Sequence, residues 1–297
     1  MIFASPGDVA FNVFGFPVYY YGIILAVSCL LAVVVARYLY QFIYSDNKAQ
    51  KLWDVAPFVV ILGILGARLY YCLLNVGDYI ANPLGIFMIR EGGLSIHGGI
   101  IAGVLGLYIA SKRYEIPFLR LLDVFSVGTI LAQSLGRWGN FFNNEAFGIP
   151  TDGWLKLYIP EASRPEYFAK FEYFHPTFLY ESVLNFLLFV ILIFVIKRFG
   201  VKFEGLTFGL YLALYSLIRF FIEGIRLDSA LNVGDFHIAQ IISVLIFVVS
   251  LLFLVCLLVK SRNLSDWFLA VLFYNSAYER RRNEKEPHIV AWRCTFY

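Results

Sequence analysis

The sequence predicts an all-α fold, a polytopic integral membrane protein with seven transmembrane helices. Three observations predict it. The 297 residues are 60% hydrophobic and only 15% charged, whereas ordinary globular domains carry roughly 25% charged residues. Apolar stretches of about 17–25 residues, the length an α-helix needs to cross a bilayer, recur along the chain. Basic residues follow alternate stretches, as topogenic charges do.

Taken in order, the seven apolar spans cover roughly 17–40, 54–75, 94–110, 119–137, 176–196, 205–224 and 236–259. Residues Met1 to Gly15 lack the basic start and apolar core of a cleavable signal peptide. Lys48 and Lys51 follow the first span, Lys112 and Arg113 the third, Lys197, Arg198 and Lys202 the fifth, and Lys260 and Arg262 the seventh. By the positive-inside rule those ends are cytoplasmic, so the N-terminus lies outside and the C-terminus inside. The opposite connections are richer in Gly, Asn, Asp and aromatic residues. The longest, 138–175, is long enough to form a small external cap over the membrane. The catalytic domain is therefore read as 1–262. Beyond it, 263–297 holds a short apolar patch, Trp267 to Tyr274, and then a charged run. Eight apolar residues cannot span, which leaves an interfacial or disordered tail.

Composition also excludes some functions. Cys29, Cys72, Cys256 and Cys294 are scattered without metal-ligand spacing, so neither a zinc site nor a disulfide framework is read. A net charge of +3, dispersed along the chain, gives no footprint for nucleic acid.

Once the spans are oriented, the costly side chains collect on the external side. Tyr21 lies near the outer start of span one and Arg68 in the outer half of span two. His97 opens span three, and Arg137 and Asn140 close span four. His175, Tyr180 and Glu181 open span five, while Tyr215, Arg219, Glu223 and Arg226 lie toward the outer end of span six. Ionisable groups within a bilayer are functional candidates by default. Their common depth predicts one shared cavity. Tyr215, Arg219 and Glu223 are four apart, hence on one helix face at about 6 Å of rise per step. Glu223 near a helix C-terminus is disfavoured by the macrodipole, which Arg219, Arg226 or Arg137 would offset. Gly99 and Gly103 form a small-xxx-small face beside His97. Blander roles stand next to these: Tyr21 as an aromatic-belt anchor, His175 as a cap, His97 as an interfacial histidine, Arg68 as a structural pair and Arg226 as a loop charge.

The densest segment runs from Gly136 to Gly148, G-R-W-G-N-F-F-N-N-E-A-F-G. It resembles, at every fixed position, the signature G-R-x-G-N-F-x-N-x-E-x-x-G of the prolipoprotein diacylglyceryl transferase family. Five flanking pieces agree in order: Tyr21-Gly22, Gly66-Ala-Arg68, His97-Gly-Gly99, His175-Pro-x-x-x-Tyr-Glu181 and Tyr215-x-x-x-Arg219-x-x-x-Glu223. The resemblance covers about 15–260; the tail beyond 262 departs from the family's short basic ending.

That resemblance implies a multi-pass enzyme of the bacterial cytoplasmic membrane, acting as a monomer with its centre facing outward. Its partners would be phosphatidylglycerol, prolipoprotein lipobox peptides and the bilayer, with no metal or organic cofactor. The diacylglyceryl group of phosphatidylglycerol would pass to a cysteine thiol, releasing glycerol 1-phosphate. The residues suit the chemistry. A thiol of pKa about 8.5 needs a base, and a neutral histidine of pKa about 6.5 can serve, which nominates His97. Arginine forks match phosphate bidentately, which nominates Arg137 and Arg219 as clamps. Asn140 and Tyr21 would donate to headgroup or leaving-group oxygens, and Glu145 and Glu223 would orient the arginines. Tyr215, Arg68, His175, Glu181 and Arg226 complete the expected substrate-binding set. A transporter or channel is the main rival reading, and a non-catalytic lipid-binding scaffold the next. Against the first, the chain shows no internal repeat and its polar groups gather toward one face.

Overall fold

The computed structural model describes residues 1–88, 92–227, 232–233 and 236–260. The tail predicted at 263–297, with Cys294, lies outside the described residues. The chain divides into two compact units, Met1–Leu252 and Phe253–Tyr297. In the second, residues 253–260 are described, and they are helical.

The chain enters through a strand β1 (Ile2–Ala4) and a hairpin of β2 (Val9–Val13) and β3 (Phe16–Tyr19). Eight α-helices follow among the described residues: α1 Tyr20–Tyr44, α2 Leu52–Leu74, α3 Val76–Ala81, α4 Ile96–Arg113, α5 Phe118–Phe142, α6 Thr177–Phe199, α7 Leu206–Glu223 and α8 Ile238–Lys260. Each of the seven apolar runs is helical, and α3 is a short addition that no apolar run announced. Six helices, all but α3 and α4, are long and apolar enough to cross a membrane. The third run falls short in composition, because α4 includes His97, four glycines, Lys112 and Arg113. The molecule is a mostly helical, multi-pass membrane protein. Its helices carry apolar side chains outward: Leu65, Leu69 and Leu73 on α2 and Phe194 on α6 are all exposed, the pattern that lipid contact permits.

Local chemistry sets the helix limits. Pro117 and Pro176 stand immediately before α5 and α6, where a missing N–H costs nothing. The start of α7 is capped from another helix. Asp123 of α5, fully buried, accepts from the backbone N–H of Gly205 (2.6 Å) and of Phe208 (2.8 Å). Those donors are among the four unsatisfied N–H groups of a helix start, where the dipole favours an anion. The same corner holds an Arg120–Glu204 ion pair at 2.7 Å. This carboxylate fixes the height of α7 against α5, and hence of Arg219 against Arg137.

Helices α2 and α4 meet at Gly66 and Gly98, where a methyl group on either would strike the other's backbone carbonyl. The seam expected at Gly99 and Gly103 is thus tightest one residue earlier, at Gly98.

The long connection between α5 and α6 contains β4 (Lys156–Tyr158) and β5 (Tyr173–Phe174). With β1 they form a sheet of order β1-β4-β5, β1 parallel to β4 and β4 antiparallel to β5. Beneath it lies a core of Phe141, Phe147, Leu157, Ile159, Phe174 and Phe178. A larger core, including Leu121, Val127, Ile130, Leu188, Leu192 and Tyr40, fills the opposite end of the bundle. On α5 and α6, Arg137 and Glu181 fall between the two.

Candidate active site

Three helices build the polar cluster: the last two turns of α5 and α7 and the first two turns of α6. Glu181, 2% exposed, uses both carboxylate oxygens. Its Oε1 pairs with Arg137 Nη2, and its Oε2 lies 3.5 Å from Arg219 Nη1. One buried carboxylate therefore joins guanidiniums from two helices. Arg219 Nη2 also pairs with Glu223 Oε2 at 2.6 Å, along the α7 face that the four-residue spacing predicted. Isolated buried charges would be prohibitive, and alternation of sign makes this chain tolerable. The arginine side chains keep 18% and 20% exposure, against 2–3% for the carboxylates. The cations are the accessible part.

Neighbouring groups tighten the arrangement. With its amide oriented to satisfy both partners, Asn140 accepts from Arg137 Nη1 (3.1 Å) and donates to Glu145 Oε1 (3.2 Å). Asn143 Nδ2 donates to the same Glu145 oxygen at 3.2 Å. Tyr215 stacks on Tyr211 at 5.8 Å, and Tyr211 donates to Gln133 at 3.3 Å. Ser134 and Ser182 exchange hydroxyl-to-carbonyl bonds of 2.8 and 2.9 Å, which rivet α5 to α6 beside the ion pairs.

The strap after the signature is stitched in place by backbone. Gly148 N–H donates to His175 O (2.9 Å), Ile149 N–H to Ile225 O (2.9 Å), and Leu227 N–H to Phe147 O (3.2 Å). Thr177 Oγ1 donates to Ala146 O. Arg226 sits at this junction, bridged through its backbone to Gly148. His175 Nδ1 lies 3.1 Å from the Tyr180 hydroxyl.

The remaining candidates sit apart from the ion-pair chain. The Tyr21 ring lies against the backbone of Gly139, a position where any side chain would collide with it. This close approach sets Tyr21 beside the signature helix. His97 is exposed on the first turn of α4, its ring 6.3 Å from that of Tyr70; among the described residues no ion pair or hydrogen bond joins it to Arg137 or Arg219. Arg68, 6% exposed, points its donors at backbone carbonyls: Ile86 (3.0 Å), Gly92 (2.7 Å), Gly93 (2.9 Å), Gly85 (2.5 Å) and Met88 (3.5 Å).

Sequence reasoning missed the bridging by Glu181, and it missed Gln133, Asp123 and His237 altogether. His237, at the entry to α8, places Nδ1 3.1 Å from the backbone oxygen of Glu223. Gln133 and Asp123 carried a usable signal, since both are polar residues inside an apolar run.

Fold and cluster define a class: a polytopic membrane protein holding a pair of arginines on buried carboxylates from neighbouring helices. The model of the family described as prolipoprotein diacylglyceryl transferase matches residues 8–256. Three curated relatives carry the name phosphatidylglycerol–prolipoprotein diacylglyceryl transferase. The protein of Trichormus variabilis is 41% identical over 270 residues, covering 89% of this chain and 94% of its own. That of Synechocystis is 40% identical over 269 residues, with the same coverage of each. A Clostridium botulinum protein is 39% identical over 255 residues, covering 86% of this chain and 98% of its own. The chain belongs to the prolipoprotein diacylglyceryl transferase family.

Proposed function

We propose that this protein transfers the diacylglyceryl group of phosphatidylglycerol to the lipobox cysteine of prolipoproteins, the first step of lipoprotein maturation. A thiolate attacks the glycerol carbon that bears the phosphate. A C–S bond forms, the C–O bond breaks, and its electron pair leaves on the oxygen of glycerol 1-phosphate. The phosphodiester bears one negative charge and the departing monoester develops a second, so the transition state gains charge where Arg137 and Arg219 present donors. The observation that carries the reading is Glu181, which joins both guanidiniums while each arginine side chain stays about a fifth exposed.

Asn140 fixes the plane of Arg137, Glu145 fixes Asn140, Glu223 fixes Arg219, and Tyr215 lines the same face of α7 one turn before Arg219. Tyr21, beside the signature helix at Gly139, donates to a headgroup oxygen. His97 takes the thiol proton; its exposure suits a peptide that arrives from the aqueous side. His175 and Arg226 brace the strap over the cluster, and Arg68 braces the connection between α2 and α4. The seven helices α1, α2 and α4–α8 span the bacterial cytoplasmic membrane, N-terminus outside, with the 138–175 cap and the active site on the outer side and no second copy required.

The test is direct. Purified protein incubated with phosphatidylglycerol and a synthetic lipobox peptide should give the diacylglyceryl mass increment. The Cys→Ser peptide and Arg137→Ala protein should not. His97→Ala should abolish turnover while lipid still binds; near-normal rates at neutral pH would remove His97 from the base role.

A further inference from the structure

Glu223 is an ill-favoured place for a carboxylate. It is the last residue of α7 and 2% exposed. The negative end of the helix dipole opposes its charge, and its own carbonyl is among those a helix C-terminus leaves without an intrahelical partner. Arg219 answers the charge, the Arg226 N–H donates to the carbonyl at 3.3 Å, and α8 adds a further donor.

His237 Nδ1 lies 3.1 Å from Glu223 O and 4.0 Å from Glu223 Oε1. A carbonyl can only accept, so Nδ1 carries the hydrogen and the contact fixes the ring's tautomer. The histidine is itself held. Its backbone N–H donates to Gln240 Oε1 at 3.2 Å, the reach-back half of a capping box at the start of α8. Gln240 Nε2 then donates to Phe220 O at 3.4 Å. Two carbonyls in the last turn of α7 thus receive donors from the first turn of α8. The turn they secure carries Glu223, with Arg219 one turn earlier.

We infer that His237 is a positioning residue for the phosphate clamp: its Nδ1–H locks Glu223 at the end of α7, and Glu223 holds the Arg219 guanidinium in its phosphate-gripping orientation. This rests on the reading of Arg219 as a headgroup ligand. His237 touches neither lipid nor thiol in this role.

The substitutions separate the two ring nitrogens. Asparagine places an amide nitrogen near the Nδ1 position, whereas glutamine places one near Nε2. Rates of the full-length protein in detergent should be measured against phosphatidylglycerol concentration at saturating lipobox peptide. His237→Ala and His237→Gln should raise the KM for phosphatidylglycerol about tenfold, with a smaller change in kcat, as expected for a misplaced charged hydrogen bond. His237→Asn should stay within about threefold of wild type, since it keeps the donor to Glu223. Asparagine as damaging as glutamine, or a loss confined to kcat, would overturn the inference. Should the alanine variant not fold, the asparagine–glutamine contrast still decides. Arg219→Ala in the same assay tests the underlying reading separately: an unchanged KM there removes Arg219 from the headgroup, whatever His237 does.

Discussion

Two arginine environments sit in this membrane protein, and they are built on opposite plans. Arg68 on α2 is the more buried, and five backbone carbonyls of the connection to α4 take its donors. Arg137 and Arg219 are met by carboxylates and remain about a fifth exposed. A guanidinium has five N–H groups in a fixed fork. When carbonyls of one loop saturate that fork, the arginine is a staple. When carboxylates meet the fork and leave the side chain partly exposed, it is a candidate receptor for an anion. Residue type is the same; the partners decide.

The sharpest way to break this contrast is to shorten the fork. Arg137→Lys or Arg219→Lys should cut transfer by about 10²–10³-fold, because an ammonium cannot serve Glu181 and phosphate together. Arg68→Lys should cost less than about tenfold once the protein is folded. Initial rates with the lipobox peptide check both. Next comes Glu181→Ala, which leaves two guanidiniums facing each other. It should destabilise the protein by about 3–5 kcal/mol, read as a fall in midpoint temperature in detergent, and abolish transfer as well. Arg68→Ala should cost about 2–4 kcal/mol through unsatisfied carbonyls. Hydrogen exchange should then speed up around Gly85 to Met88 while the α5–α7 cluster keeps its protection. The smallest effect is expected at Asp123→Asn, about 1–2 kcal/mol, since the amide oxygen can still accept from one of the two N–H groups that cap α7.

The helices were legible because burial in lipid demands long apolar runs, and each of the seven runs is helical. The exception in character was α4, where His97, four glycines, Lys112 and Arg113 dilute the apolar signal. Strands β1 to β5 were not legible. They are two to five residues long; β2 and β3 pair in a short hairpin, while β1, β4 and β5 hold one another through backbone pairing across distant segments. The site was half legible. Arg137, Arg219 and Glu223 stood out as charges in apolar flanks, and the four-residue spacing on α7 gave one ion pair. Nothing local says that Glu181 faces both Arg137, 44 residues away, and Arg219, 38 residues away. Nor does the sequence show that Asp123 caps a helix 82 residues on. Such pairings belong to the packing of α5, α6 and α7.

The most direct measurement is a cryo-EM structure of the protein in phosphatidylglycerol nanodiscs. The phosphate should lie across Arg137 and Arg219, its oxygens about 2.7–2.9 Å from their nitrogens, with Glu181 behind them. A phosphate bound at Arg68, or anywhere out of reach of both arginines of the α5–α7 cluster, would contradict the account.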